Sequence, residues 1–393
     1  MSEESVVIVS GARTPMGGLM GSLSAVPAPA LGSVAITAAL ERSGVEADAV
    51  DEVFMGCVLP AGLGQAPARQ AARGAGIPDH AGAVTVSKVC GSGMQAAIYA
   101  NDSILAGTNR IVVAGGMESM SNAPHLLKGS RGGIRSGHQT THDHMFLDGL
   151  EDAYTGGAMG SFAQATADER GLSREAMDAY AIESLNRAKA AIEAGSLKAE
   201  IAPVTVTHRK GETLVDDDEQ PHKAAVEKIP KLRPAFAKDG TITAANASSI
   251  SDGASDLLVM AESEARQRGL SPMARIVAHA RHSQAPDEFT IAPIGAIRKL
   301  YEKAGWSPDS VDLYEINEAF AMVTMLAIQD LELDHGKVNV NGGACAQGHP
   351  IGSTGSRIIV TLMHALRQQG KQRGIAALCI GGGEATAIAI EML

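Results

Sequence analysis

The stretch VTVSKVCGSGMQAA, residues Val84–Ala97, passes from an apolar run through a cysteine and two glycines into a helical pattern. A strand is expected over Val84–Val89 and a helix over Gly93–Ala106, with Cys90 at the turn between them. The strand Arg110–Ala114 follows and ends on Gly115–Gly116. Near the C-terminus the outline recurs. Val338–Val340 leads into NGGACAQGHPIGSTGS (Asn341–Ser356), then a helix over Ser353–Gln369, then the strand Gly374–Ile380 and Gly381–Gly383. Cys90 and His349 therefore occupy matching turns of what reads as an internal duplication.

Outward from these turns, strands and helices alternate. Strands are expected at Ser5–Ser10 and Glu52–Val58, with helices at Leu31–Ser43 and Ala66–Ala75. In the second half, strands fall at Ala274–Ala280, Val311–Ile316 and Ala385–Glu391, and helices at Ile291–Ala304 and Glu318–Leu331. Such alternation implies an α/β fold around a mainly parallel sheet. Met117–Asp256 breaks the pattern with a Gly- and His-rich stretch (Gly129–His144), a helix at Ser173–Gly195 and a polar segment (Lys210–Lys223). It reads as an insertion folding over the first half, a lid or binding loop. The expected division is 1–120 and 251–270 for the first half, 121–250 for the insertion and 271–393 for the second half.

Composition narrows the classes. The 393 residues exceed one ordinary core. Apolar residues make up 45% and aromatics only 3%, so small aliphatic side chains must build closely packed layers. A net charge of −11 disfavours nucleic acid, whose phosphates need a basic face. The acidic start MSEES does not resemble a secretory signal. The apolar run Gly374–Leu393 is broken by glycines and two glutamates, so no membrane span is expected. Cys57, Cys90, Cys345 and Cys379 lack CxxC spacing, which points to free thiols in the cytoplasm.

The chemistry lies where reactive side chains meet glycine. A thiol just before a helix faces unpaired N–H groups and the positive dipole end, which lower its pKa, so Cys90 reads as a nucleophile. His349 in its glycine loop can act as a base. Cys379, followed by Ile380 and three glycines, can move a proton near a bound acyl group. Cys57 and Cys345 read as packing. Asn317 is either an N-cap or a group that orients a water. His138, His142 and His144, near Asp143 and Asp148, read as a solvated loop rather than a metal site.

These motifs together resemble the thiolases: CGSGMQAA, AGGMESMS, KLRPAF, ITAANASSISDGA, YEINEAFA, GGACAQGHPIGSTG and CIGGGEA, in the family's order, with VVIVSGARTP at the start. The likeness spans essentially the whole chain and is strongest to the acetyl-CoA C-acetyltransferases. It implies two βαβαβαββ halves stacked in five α/β layers, with a loop domain inserted in the first. It also implies acyl-CoA substrates, no separate cofactor, no metal and a homotetramer, to which the loop Gly129–His144 would contribute.

By the same resemblance, Cys90 is acylated while His349 takes its proton, and Cys379 removes the α-proton of a second acetyl-CoA for a Claisen condensation. His349 and a water on Asn317 form one oxyanion hole; the N–H groups of Cys90 and Gly381 form the other. Ser248 contacts pantetheine, and Leu150, Met159, Phe236, Ala244, Ala319 and Phe320 line the CoA tunnel. The chain departs from the family pattern at several points. Ala158 stands where a histidine is common. His222 and Lys223 replace an arginine for CoA phosphate, and Phe289 replaces a methionine on the pocket wall. Gln347 and Glu384 put polar groups beside His349 and Cys379, where they could tune pKa values. A 3-ketoacyl-CoA thiolase for longer chains is the nearest alternative.

Overall fold

The computed structural model describes residues 4–393. Nine long strands and the two-residue strand Gly17–Gly18 form a continuous sheet. The first-half strands are β1 (Val6–Arg13), β2 (Glu52–Gly56), β3 (Gly82–Val86), β4 (Ile111–Ser119) and β5 (Ser251–Ala261). The second-half strands are β6 (Ala274–Ser283), β7 (Leu313–Ile316), β8 (Arg373–Ile380) and β9 (Glu384–Met392). In space the order is β3-β2-β4-β5-β1 and then β6-β9-β8-β7. β2 pairs in parallel with β3 and β4, as β7 does with β8, and each half ends in two antiparallel strands. The halves meet edge to edge only at Val7↔Arg275 and Ile8↔Ala274. Duplication is thus visible in the pairing itself, while the sheet is mixed rather than mainly parallel.

The principal helices are α1 (Ala28–Ser43), α2 (Pro67–Gly74), α3 (Ser92–Leu105), α4 (Met159–Glu169), α5 (Arg174–Glu193), α6 (Ala292–Ala304), α7 (Ala321–Asp330) and α8 (Thr354–Gln368). Three apolar cores stack them. Leu31, Ile36 and Ala71 of α1 and α2 pack on one half-sheet, and Ile297, Leu300 and Leu326 of α6 and α7 on the other. Between the sheets lie α3 and α8, through Met94, Ile98, Ile358 and Leu362. This gives five α/β layers.

The two central helices touch backbone to side chain near their N-termini. A Cβ on Gly355 would fall 2.2 Å from the Met94 nitrogen, and one on Gly93 would fall 2.6 Å from Ser356 Oγ. Only glycine permits that approach, and it brings the turns carrying Cys90 and His349 together.

Two sequence expectations change here. The strand before Cys90 stops at Val86, because Ser87–Cys90 form a turn in which Val89 has φ +46. The stretch SDGASD (Ser251–Asp256), for which no strand is expected, is the first half of a wholly buried one. Its polarity disguises it. Ser255 Oγ lies 2.7 Å from Ser356 Oγ, Asp252 accepts the Ser121 N–H at 2.9 Å, and burial pushes the Asp256 carboxyl well up, towards the neutral form.

The segment between β4 and β5 packs on both halves, not on the first alone. Ala163, Ala167 and Met177 join the second half's core, and Arg187 donates to the Val338 carbonyl at 2.7 Å. Arg13 of β1, fully buried, anchors it through Glu200 at 2.5 Å and Asp218 at 2.7 Å. Val338 makes one bridge to Tyr314 and no longer strand. Among the described residues, no helix is long and apolar enough to cross a membrane.

Candidate active site

A cavity of about 390 Å³ opens where the two halves meet the inserted segment. Cys90, His349, Cys379 and Gly381 stand on its wall, as do Leu150, Met159, Phe236, Ala244, Ser248, Phe289, Ala319 and Phe320. Each is held by a different element. Cys90 precedes α3, and Cys379 sits at the end of β8, paired with Ala385 of β9. Ser248 donates its N–H to the Ala319 carbonyl at 2.9 Å, which lays the 244–250 segment along Ala319 and Phe320. Phe320 packs edge-on against Phe236 and Phe289, with centroids 6.2 and 6.4 Å away. Ala158 also lines the cavity.

His349 is buried and follows Gly348, whose φ is +112 and where a Cβ would fall 2.2 Å from Ser251 Oγ, so a side chain is excluded. The His349 Nδ1 lies 2.6 Å from Thr354 Oγ1, which donates to the Pro350 carbonyl at 2.9 Å. That hydroxyl has one proton and has already used it. With the hydroxyl proton on that carbonyl, Nδ1 carries the imidazole proton and Nε2 is left as a lone pair. Nε2 is buried and has no partner. Burial, with the Arg357 charge nearby, lowers the histidine pKa to about 3, so the ring is neutral.

Cys90 differs from the low-pKa thiol expected from its position. Burial pushes it up to about 11, although the backbone N–H groups of Gly381 and of Cys90 itself favour the thiolate. Cys379 is raised well above the usual thiol range by burial and by the neighbouring Cys90 sulfur. At rest the site is therefore two thiols and a neutral imidazole.

Asn317 directly follows β7 and is 1% exposed; both its side-chain polar atoms lack partners, though it does not line the cavity. Its neighbour Glu318, unremarked in the sequence, accepts from Tyr180, Ser184, Asn339 and the Cys345 N–H. Glu118 was missed too. Its buried carboxylate receives the N–H groups of Val58, Leu59 and Gly352 at 2.9–3.1 Å, tying β4 to the loop after His349.

Several expected residues sit elsewhere. His222 and Lys223 lie on the short helix Glu219–Lys223, exposed and off the cavity wall, with Lys223 paired to Glu219. Gln347 is fully buried and donates to the Asn341 carbonyl at 3.0 Å, and Glu384 pairs with Lys88. Neither contributes to the shifts at His349 or Cys379. His144 is not in a solvated loop: it is buried, accepts the Ala61 N–H and lies 2.6 Å from Asp148. Among the described residues no cluster of His, Cys, Asp and Glu could hold a metal.

The sequence matches the thiolase N-terminal domain over residues 6–263 and the thiolase C-terminal domain over residues 270–392. The chain belongs to the thiolase family. It is 48% identical over 388 residues to an acetyl-CoA acetyltransferase of Cupriavidus necator, covering 98% of this chain and 99% of that one. Acetyl-CoA acetyltransferase 2 of Arabidopsis thaliana is 49% identical over 391 residues, covering 99% and 97%. Among solved structures, the Acat5 thiolase from Ascaris suum in complex with coenzyme A superposes with a TM-score of 0.94 at 42% identity. That match covers 99% of this thiolase chain and all of its counterpart. The likeness extends over both halves and the inserted segment, so the five-layer architecture is the thiolase fold.

Proposed function

We propose that the protein is an acetyl-CoA C-acetyltransferase, joining two acetyl-CoA into acetoacetyl-CoA and CoA, and running the reverse thiolysis. The observation that carries this reading is the shared cavity. Two thiols and a neutral imidazole with a free Nε2 end a mainly apolar tunnel, in a chain 46–49% identical to proteins of that name.

The Cys90 proton passes to His349 Nε2 as the sulfur attacks the acetyl carbonyl, and then to the departing CoA sulfur. In the second half, Cys379 gives its proton to His349 and takes the α-proton of the second acetyl-CoA. The carbanion attacks the Cys90 thioester, the carbon–sulfur bond breaks, and the freed sulfur recovers its proton from His349. The Cys90 and Gly381 N–H groups would hold the tetrahedral oxyanion. A water on Asn317 together with His349 would hold the enolate. Each such donor is typically worth about 2.7–4 kcal/mol.

Phe289, 3% exposed and stacked edge-on against Phe320, closes the acyl end and favours short chains over the longer 3-ketoacyl substrates of β-oxidation. The side chains supply all the proton transfers, so the reaction as written needs no cofactor. CoA itself is substrate and product. His222 and Lys223 would meet only the phosphate end of CoA, outside the cavity. A homotetramer completed by the exposed loop around Gly129–Thr141 and a cytoplasmic location belong to the same reading.

Labelled acetyl-CoA mixed with the protein should leave an acetyl group on Cys90, found by mass spectrometry. An unlabelled Cys90 would sink the proposal. Faster thiolysis of 3-ketodecanoyl-CoA than of acetoacetyl-CoA would sink the short-chain assignment.

A further inference from the structure

Two turns meet at the nucleophile. One, Ser87–Gly91, carries Cys90; the other, Gly381–Gly383, links β8 to β9, and its Gly381 shares the cavity wall with Cys90. Each turn has some backbone bonding: the Gly91 N–H donates to the Lys88 carbonyl at 3.0 Å and the Ser92 N–H to the Val89 carbonyl at 3.1 Å, while the Gly383 carbonyl accepts the Gln284 N–H at 2.8 Å. Val89 nonetheless sits at φ +46, a region that β-branched residues avoid, and a Cβ on Gly382, at φ +93, would meet nothing within 4 Å. Close packing supplies one tie, since a Cβ on Gly91 would meet Ile380 Cδ1 at 2.3 Å. Among the described residues, one polar side-chain tie joins the turns: the ion pair of Lys88 with Glu384. Both partners are held from behind. The Lys88 N–H donates to Ser92 Oγ at 2.8 Å, and Ser283 Oγ donates to the second Glu384 oxygen at 3.3 Å.

We infer that the Lys88–Glu384 ion pair is a positioning device that sets the spacing between the Cys90 and Gly381 N–H groups, and so the oxyanion hole of the acyl-transfer steps. The inference rests on the thiolase reading given above. Lys88 and Glu384 are absent from the cavity wall that holds Cys90, Cys379 and Gly381, so neither touches the reacting acyl group and the pair acts through the two amides. Hydrogen-bond donors must lie within about 2.7–3.1 Å of a developing oxyanion to stabilise it, so a slack turn lowers turnover without weakening CoA binding.

The test is steady-state thiolysis of acetoacetyl-CoA by the wild type, Lys88→Met, Glu384→Gln, the double variant and Lys88→Arg. Each charge-removing single should lower kcat about fivefold at unchanged KM, the upper range for a partly exposed pair. The double variant should be no slower than either single, and Lys88→Arg should stay within about twofold of the wild type. Singles within twofold of the wild type, multiplicative losses in the double variant, or a change confined to KM would overturn the inference. A wild type that cleaves no acetoacetyl-CoA and takes no acetyl group would overturn the thiolase reading itself, and the positioning role with it.

Discussion

His349 Nδ1 donates to Thr354 Oγ1 across 2.6 Å, and that hydroxyl is committed to the Pro350 carbonyl. The first turn of α8 thereby sets the tautomer of the base that precedes it by five residues. Removing the hydroxyl frees the ring to rotate and to place its proton on Nε2. Thr354→Val should lower kcat by up to about 100-fold, the cost of misplacing a reacting group by about 1 Å. Thr354→Ser should retain most activity. Steady-state kinetics on acetoacetyl-CoA checks both, and equal rates in Val and Ser variants would refute the role.

Free Cys90 should alkylate slowly at neutral pH. Its thiol is pushed up to about 11 and His349 is lowered to about 3, so no thiolate–imidazolium pair forms at rest. The rate of iodoacetamide inactivation without substrate should climb through pH 9 and beyond. An inflection below pH 8 would show that the α3 N-terminus outweighs burial.

Phe289→Ala removes the wall at the acyl end. The ratio of kcat/KM for 3-ketodecanoyl-CoA to that for acetoacetyl-CoA should rise at least tenfold, since one methylene is worth about 1–3 kcal/mol in such a pocket. Stability should fall by about 3–5 kcal/mol because the ring is buried against Phe320. Chain-length profiles and urea melts measure the two effects.

Glu315 is buried with one oxygen unpartnered and Arg357 3.8 Å away; burial raises it to about 8. A carboxyl raised in the folded state contributes stability that is present below its unfolded value, about 4.3, and lost as pH rises through 8. Glu315→Gln resembles the protonated form, so it should gain stability on the wild type between pH 5 and 8.5, by a few kcal/mol at most. Thermal melts of the two proteins across that range would show the curves converging at low pH. Parallel curves would contradict the shift.

Gly355→Ala would drive a Cβ to 2.2 Å from the Met94 nitrogen, where the two central helices touch. Backbone cannot retreat as a flexible side chain can, so a loss of about 1–3 kcal/mol or more is expected from overpacking. Because α3 and α8 carry the Cys90 and His349 turns, kcat should fall with it. A variant as stable and active as the wild type would show that the helices are free to separate.

Legibility in the sequence followed locality. Cys90, His349 and Gly381 each sit in a glycine-marked turn and Cys379 in the strand just before one, and all four open on one cavity. The elements with plain hydrophobic periodicity, such as Leu31–Ser43 and Ile291–Ala304, form helices within a few residues of the expected bounds. Ser251–Asp256 failed because its polar side chains find partners distant in sequence, such as Ser121, His349 and Ser356, so period-two alternation never appears. His144 failed similarly, since its partner Ala61 lies 83 residues away.

The sequence by itself determined which side chains could react, because glycine turns and strand-to-helix junctions are written in neighbouring residues. Protonation was decided by tertiary structure alone. The Cys90 thiol is high and the His349 ring neutral because layers assembled from both halves bury His349 and leave Cys90 only partly exposed on the cavity wall. The same packing joins Glu118 to Gly352 and Lys88 to Glu384 across 234 and 296 residues. Burial and long-range pairing leave no local pattern, so only the folded chain states what the reactive groups will do.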